Sequence, residues 1–115
     1  MKGLFNICFI FFIFKVLTNF LEKHGFPVTR NYILDTGFKA EWGKGPGPHV
    51  AVLCEYDALP DIGHACGHNL IAEAGAGAGI GIKAALQAAA QHGKQLGTVS
   101  AVMLCTMHSA RLNKM

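Results

Sequence analysis

No aspartate or glutamate follows Glu73 in this 115-residue chain, and no phenylalanine, tyrosine or tryptophan follows Tyr56. A site that works through carboxylates must therefore draw them from the first 73 positions. Charged residues are scarce at 15%, while hydrophobic residues reach 51% and the mean hydropathy is +0.33. That balance excludes a disordered or collagen-like chain. The ten basic residues are scattered and the net charge is only +3, so no nucleic-acid footprint is expected. Cys8, Cys54, Cys66 and Cys105 form no C-x-x-C pair. Their sparseness excludes a disulfide framework and leaves a reducing, cytoplasmic setting or a metal thiolate. The length holds one small domain.

The N-terminus is the richest apolar stretch. Met1 to Phe14 (MKGLFNICFIFFIF) holds five of the eight phenylalanines and sets twelve uncharged residues between Lys2 and Lys15. A charged start and apolar middle resemble a secretory signal, but the small-residue cleavage site is missing. Twelve helical residues span about 18 Å, short of the roughly 30 Å hydrocarbon core. Extended to Leu21 the run is interrupted only by Lys15, which can snorkel. A membrane contact through residues 1–21 is thus the alternative to an extra segment on a soluble domain.

Beyond it, Val16–His24 has helical spacing and ends at Gly25 and Pro27. Val28–Leu34 predicts a strand, Asp35-Thr36-Gly37 a turn, and Phe38–Trp42 the second strand of a hairpin. Gly43–His49 (GKGPGPH) excludes regular structure. Val50–Cys54 is a continuous apolar run, the pattern of a strand buried on both faces. Glu55–His68 reads as a loop, Asn69 as the cap of a helix over Leu70–Gln91 closed by Gly93, and Thr98–Cys105 as another buried strand. Strand, loop, helix and strand make a βαβ unit, so the class is α/β with a partly parallel sheet and flanking helices. In such sheets the working site lies at the carboxyl ends of the strands.

Gly75, Gly77, Gly79 and Gly81 break the rule for a helix interior, where each costs about 1 kcal/mol against alanine. Close packing of the helix backbone on the sheet accounts for such a run. Gly79 to Ala84 also fits G-x-G-x-x-A. It does not directly follow a strand, however, and no acidic residue lies downstream, so a nucleotide is not expected.

His64-Ala65-Cys66-Gly67-His68 is the chemically dense segment. In an extended chain residues two apart share a side, so His64, Cys66 and His68 would converge. Thiolate and imidazole suit zinc and related metals, and Asp57 is placed to orient a ligating imidazole. Taken alone, the segment also fits a buried cysteine flanked by surface histidines, or a small zinc site built from Cys54, His64, Cys66 and His68.

The longer stretch Val52–Ala72, VLCEYDALPDIGHACGHNLIA, resembles the metal-site signature of the zinc aminoacylase and carboxypeptidase-like metallopeptidases. Within them it is similar to the amidohydrolase branch, which carries D-A-L-P followed by H-A-C-G-H. Phe38-Lys39-Ala40-Glu41-Trp42 extends the likeness to dipeptidases of that branch, and the resemblance runs from about Val16 to about Ser100. It implies residues 1–15 as an unmatched hydrophobic segment, 16–105 as the N-terminal part of a metallopeptidase catalytic domain, and 106–115 as an unmatched tail.

By the same resemblance Cys66 matches a bridging thiolate ligand, His68 a metal-binding imidazole, and Asp57 the catalytic-site aspartate that orients an imidazole. Glu55 occupies a ligand position used by other branches. Two divalent ions, zinc or manganese, would polarise the scissile carbonyl and activate a water, with a glutamate as general base. The implied substrates are dipeptides ending in Lys, ornithine or Arg, as in removal of side products of carnosine synthesis. The family's T-P-A-E-E sequence, which supplies that base, is absent, and Cys105 to Met115 reads CTMHSARLNKM instead. Two further metal-binding histidines and the family's lid and dimerisation domain would lie beyond this length. The expectation is a catalytically incomplete member. The alternative is a non-catalytic protein acting through protein–protein contacts.

Overall fold

A computed structural model describes residues 2–59 and 62–103. Its elements are α1 (Lys2–Lys23), β1 (Val28–Arg30), β2 (Phe38–Trp42), β3 (His49–Cys54), α2 (His68–Gln91) and β4 (Thr98–Met103). The four strands form one mixed sheet in the order β1-β2-β4-β3. β1–β2 and β2–β4 run antiparallel, and β3–β4 runs parallel. The expected βαβ unit is β3–α2–β4, and the α/β class holds. The last two residues of the predicted strand, Leu104 and Cys105, and the tail at 106–115 lie outside the described residues.

Alternation along β2 and β4 divides the sheet into two unlike faces. Phe38, Ala40, Val99 and Ala101 are fully buried on the face that meets the helices, together with Leu21, Phe26, Ala72 and Ala76. Phe14 of α1 packs edge-on against Phe38, with ring centroids 5.9 Å apart. Arg30 then ties the end of β1 to α1, through both Glu22 carboxylate oxygens at 2.5 and 2.9 Å and Asn19 Oδ1 at 3.1 Å. The opposite face carries polar groups. Ser100, 1% exposed, donates to Glu41 Oε2 at 2.9 Å and meets His49 Nε2 at 2.6 Å, while Lys39 Nζ reaches Glu41 at 2.6 Å.

Several details differ from the sequence pattern, among them the start of β3 at His49. β1 stops at Arg30, because Asn31 and Ile33 take positive φ (55° and 66°) in a loop that Asn31 closes onto the Asp35 carbonyl. α1 begins at Lys2, so the apolar N-terminus and the predicted Val16–His24 helix are one element. Phe9, Phe12, Val16 and Phe20 recur at helical spacing and stay exposed. No described helix is long and apolar enough to cross a membrane.

β3 is not buried on both faces. Of its residues only Cys54 is buried, and Leu53 is 73% exposed. The apolar run reflects β-branched content, but this strand is at the sheet edge with one face bare. The helix cap is Gly67, not Asn69: Gly67 takes φ 76°, and its carbonyl accepts from the Leu70 and Ile71 amides.

The glycine run is only partly a packing device. A methyl group on Gly75 would overlap Cys54 Sγ, and one on Gly79 would make ordinary contact with Ala101. Gly77 and Gly81 face open space. Gly75→Ala is therefore expected to destabilise by about 1–3 kcal/mol through overpacking, and less so beside Cys54→Ala. Gly77→Ala and Gly81→Ala are expected to stabilise by about 0.5–1 kcal/mol each. Urea unfolding of the four variants checks both signs. A pH dependence also follows. Lys39 first, then Ser100, hold the Glu41 carboxyl below its ordinary value. A depressed carboxylate contributes stability above its unfolded pKa and loses it as pH falls through the folded one. The small melting-temperature gap between parent and Glu41→Gln should be constant above about pH 5 and close as pH falls through the lowered folded value.

Candidate metal centre

The loop that follows β3 is built around one buried ring. Tyr56 is fully buried and its hydroxyl donates to the Thr36 carbonyl. In extended backbone its two neighbours must then point the other way, so Glu55 and Asp57 share a side. Paired amide–carbonyl bonds between Leu59 and Gly63 (2.9 and 3.0 Å) pinch the loop shut before α2.

His68 enters from the first turn of α2. Its Nδ1 lies 2.8 Å from Asp57 Oδ1 and its Nε2 lies 3.3 Å from Glu55 Oε1. Asp57 and His68 are mostly shielded, with side chains 18% and 23% exposed, and Glu55 faces solvent. Among the described residues this is the one group of three such side chains with converging ligand atoms.

The two distances describe different roles. At 2.8 Å the Asp57 contact is a hydrogen bond, which fixes the ring and leaves Nε2 as the outward-facing nitrogen. Two ligand atoms held about 2.0–2.2 Å from one tetrahedral ion lie about 3.4 Å apart. The Glu55–His68 separation of 3.3 Å matches that edge. One imidazole with carboxylate oxygens is a donor set suited to zinc or manganese.

His64, Cys66 and His68 do not gather. The segment is a turn, with the Gly67 amide on the His64 carbonyl at 2.9 Å, so the alternation of an extended chain does not apply. Cys66 is exposed just ahead of the helix and outside the Glu55–Asp57–His68 group. Both ring nitrogens of His64 are buried without a hydrogen-bond partner, and the ring lies 5.7 Å from that of Phe9 in α1. Cys54 packs against Gly75, and burial pushes its thiol up from the ordinary value, which disfavours a thiolate ligand there. Pro60 of the same loop and His108 lie outside the described residues. Glu55, which the resemblance marked as a ligand position of other branches, stands beside His68, whereas the resemblance implied Cys66 and His68 as the metal ligands. The signal for Glu55 is the Glu-x-Asp spacing across a buried tyrosine.

No family model matches the sequence. It is 49% identical over 86 residues to the Xaa-Arg dipeptidase of Homo sapiens, covering 64% of this chain and 20% of that protein. The Xaa-Arg dipeptidase of Mus musculus is 49% identical over 84 residues, with the same coverage of 64% and 20%. A p-aminobenzoyl-glutamate hydrolase component of Escherichia coli (strain K12) is 37% identical over 95 residues, covering 67% of this chain and 20% of that component. The chain thus spans about one fifth of the length of the curated relatives it matches. Over the aligned segment it is homologous to amidohydrolase-type peptidases, as the Val52–Ala72 signature implied.

Tyr56→Phe removes the anchor beneath the two carboxylates without changing their charge. It is expected to cost about 1 kcal/mol, seen as a lower urea midpoint at unchanged slope.

Proposed function

We propose that this chain holds a divalent metal ion at the carboxyl end of β3 as part of a dipeptidase-type amide-hydrolysing site. The observation that carries the reading is the 3.3 Å approach of His68 Nε2 to Glu55 Oε1, with Asp57 bonded to the other ring nitrogen. Homology to amidohydrolase-type peptidases supports the reaction class. Dipeptides with Lys, ornithine or Arg at the carboxyl end are the substrate class proposed, on the likeness to the Xaa-Arg dipeptidases. Free Cys54 and Cys66 are consistent with a reducing, cytoplasmic setting.

Each residue has a stated task. His68 Nε2 and Glu55 would hold the ion, and Asp57 accepts a hydrogen bond from Nδ1–H, so His68 presents a lone pair at Nε2. Tyr56 holds the loop so that both carboxylates stay on one side. A metal there, zinc or manganese, would supply Lewis-acid polarisation of a carbonyl and activation of water. Cys66, which lies outside that group, is proposed by resemblance alone as a further thiolate ligand. Glu55 is assigned to the ion and Asp57 to His68, so neither is left to act as a base, and the T-P-A-E-E glutamates are replaced in this sequence. The chain is therefore proposed to bind metal without completing turnover, since loss of a general base removes about 10²–10⁴ in rate.

Metal stoichiometry by elemental analysis and affinity by competitive chelation test this. The parent is expected to bind, His68→Ala to lose the ion, and Asp57→Asn to bind about 10–100-fold more weakly. With cobalt as probe, a thiolate-to-metal charge-transfer band that vanishes in Cys66→Ser places the sulfur on the metal. Absence of metal from the folded parent would overturn the proposal.

A further inference from the structure

A cavity of about 650 Å³ lies at the end of the sheet opposite the Glu55–His68 group. It is walled by Trp42 and Gly43 at the end of β2, by Gly97 just before β4, and by the last turns of α2. β4 runs parallel to β3, so its start and the carboxyl end of β3 are at opposite edges. Pockets of this size commonly take small organic molecules.

The walls are apolar with an excess of positive charge. Leu86, Leu96 and the Trp42 ring line the space, and Lys39, Lys44 and Lys94 face it with one acid, Glu41. Glu41 is spent on Lys39 at 2.6 Å. Among the described residues Lys44 and Lys94 have no ion-pair partner. Lys83 adds a further cation behind the wall, its Nζ 5.7 Å from the centre of the Trp42 ring and bonded to the His24 carbonyl. The absence of any acidic residue after Glu73 is what leaves this end of the molecule uncompensated. Backbone contacts keep the rim in place: a side chain on Gly43 would strike the Gly97 carbonyl, and both glycines hold positive φ (110° and 119°).

We infer that this cavity binds an organic carboxylate with an apolar body, the body against Trp42, Leu86 and Leu96 and the carboxylate between Lys44 and Lys94. Neither the metal group nor hydrolysis enters this inference. A neutral ligand would leave two ammonium groups unmatched, and an inorganic anion would leave the apolar wall wet.

Trp42 is the single tryptophan of the chain, so its emission reports on this wall and on no other. The full chain is titrated with phenylbutyrate and, in parallel, with the neutral isostere phenylbutanol, with and without a chelator. Saturable change in Trp42 emission is expected with the acid, about tenfold or more weaker with the alcohol, as the loss of one charge-assisted contact predicts. Lys44→Gln/Lys94→Gln should weaken the acid to the level of the alcohol, while Lys44→Arg/Lys94→Arg restores it. Circular dichroism of the Gln pair confirms that it is folded. Three results would overturn the inference: no saturation by about 10 mM, where a millimolar site is filled; equal affinity for acid and alcohol; or acid binding that the chelator removes.

Discussion

The close approach of α2 to β3 is the constraint on which the rest of this structure depends. Gly75 is set against the Cys54 thiol at a distance that no other side chain allows. Cys54 is the residue before Glu55, and His68 is seven residues before Gly75. Positions seven apart lie on one helix face, two turns from each other. Fixing Gly75 against the end of β3 therefore fixes how far His68 reaches past that end. The buried small residues Ala72, Gly75, Ala76 and Gly79 continue the same face, so the helix is seated along its length. The imidazole meets Glu55 and Asp57 because one glycine lets the helix sit low enough.

Much of this is legible in the chain, in proportion to how local the cause is. The hairpin, the βαβ unit and the closing Gly93 follow from short-range chemistry, and each is present. The burial of β3 is not legible, because an apolar run states composition, whereas burial depends on which strands lie beside it. The start of α2 moves back to His68 because Gly67 supplies a left-handed turn that a side-chain cap would otherwise provide. That shift also decides the site: it takes His68 out of the loop and onto the helix, and it leaves Cys66 behind in the turn. Asp57 and His68 are readable from their spacing and their likeness to a known signature. Glu55 is also marked by the resemblance, as a ligand position of other branches, but its place beside His68 requires knowing that Tyr56 points inward.

Charge is sorted along the chain as well as in space. The acidic residues end at Glu73, so the carboxylates collect around β1, β2 and the loop after β3. The far half of α2 and the approach to β4 contribute Lys83 and Lys94 with no acid between them. One end of the sheet is thereby suited to a cation and the other to an anion. The parallel pairing of β3 with β4 keeps these two ends apart.

β3 is both the strand that leads into Glu55 and an outer strand of the sheet. Its outer backbone amides and carbonyls have no partner strand among the described residues, and no proline or charged residue blunts its length. A strand in that position can couple ligand occupancy to edge pairing. Whatever pairs along it stiffens the backbone that carries the ligand, and occupancy of the ligand orders the same backbone for pairing. By reciprocity each event shifts the other by the same free energy. With the proposed ion bound, metal content would thus report on what lies against that edge.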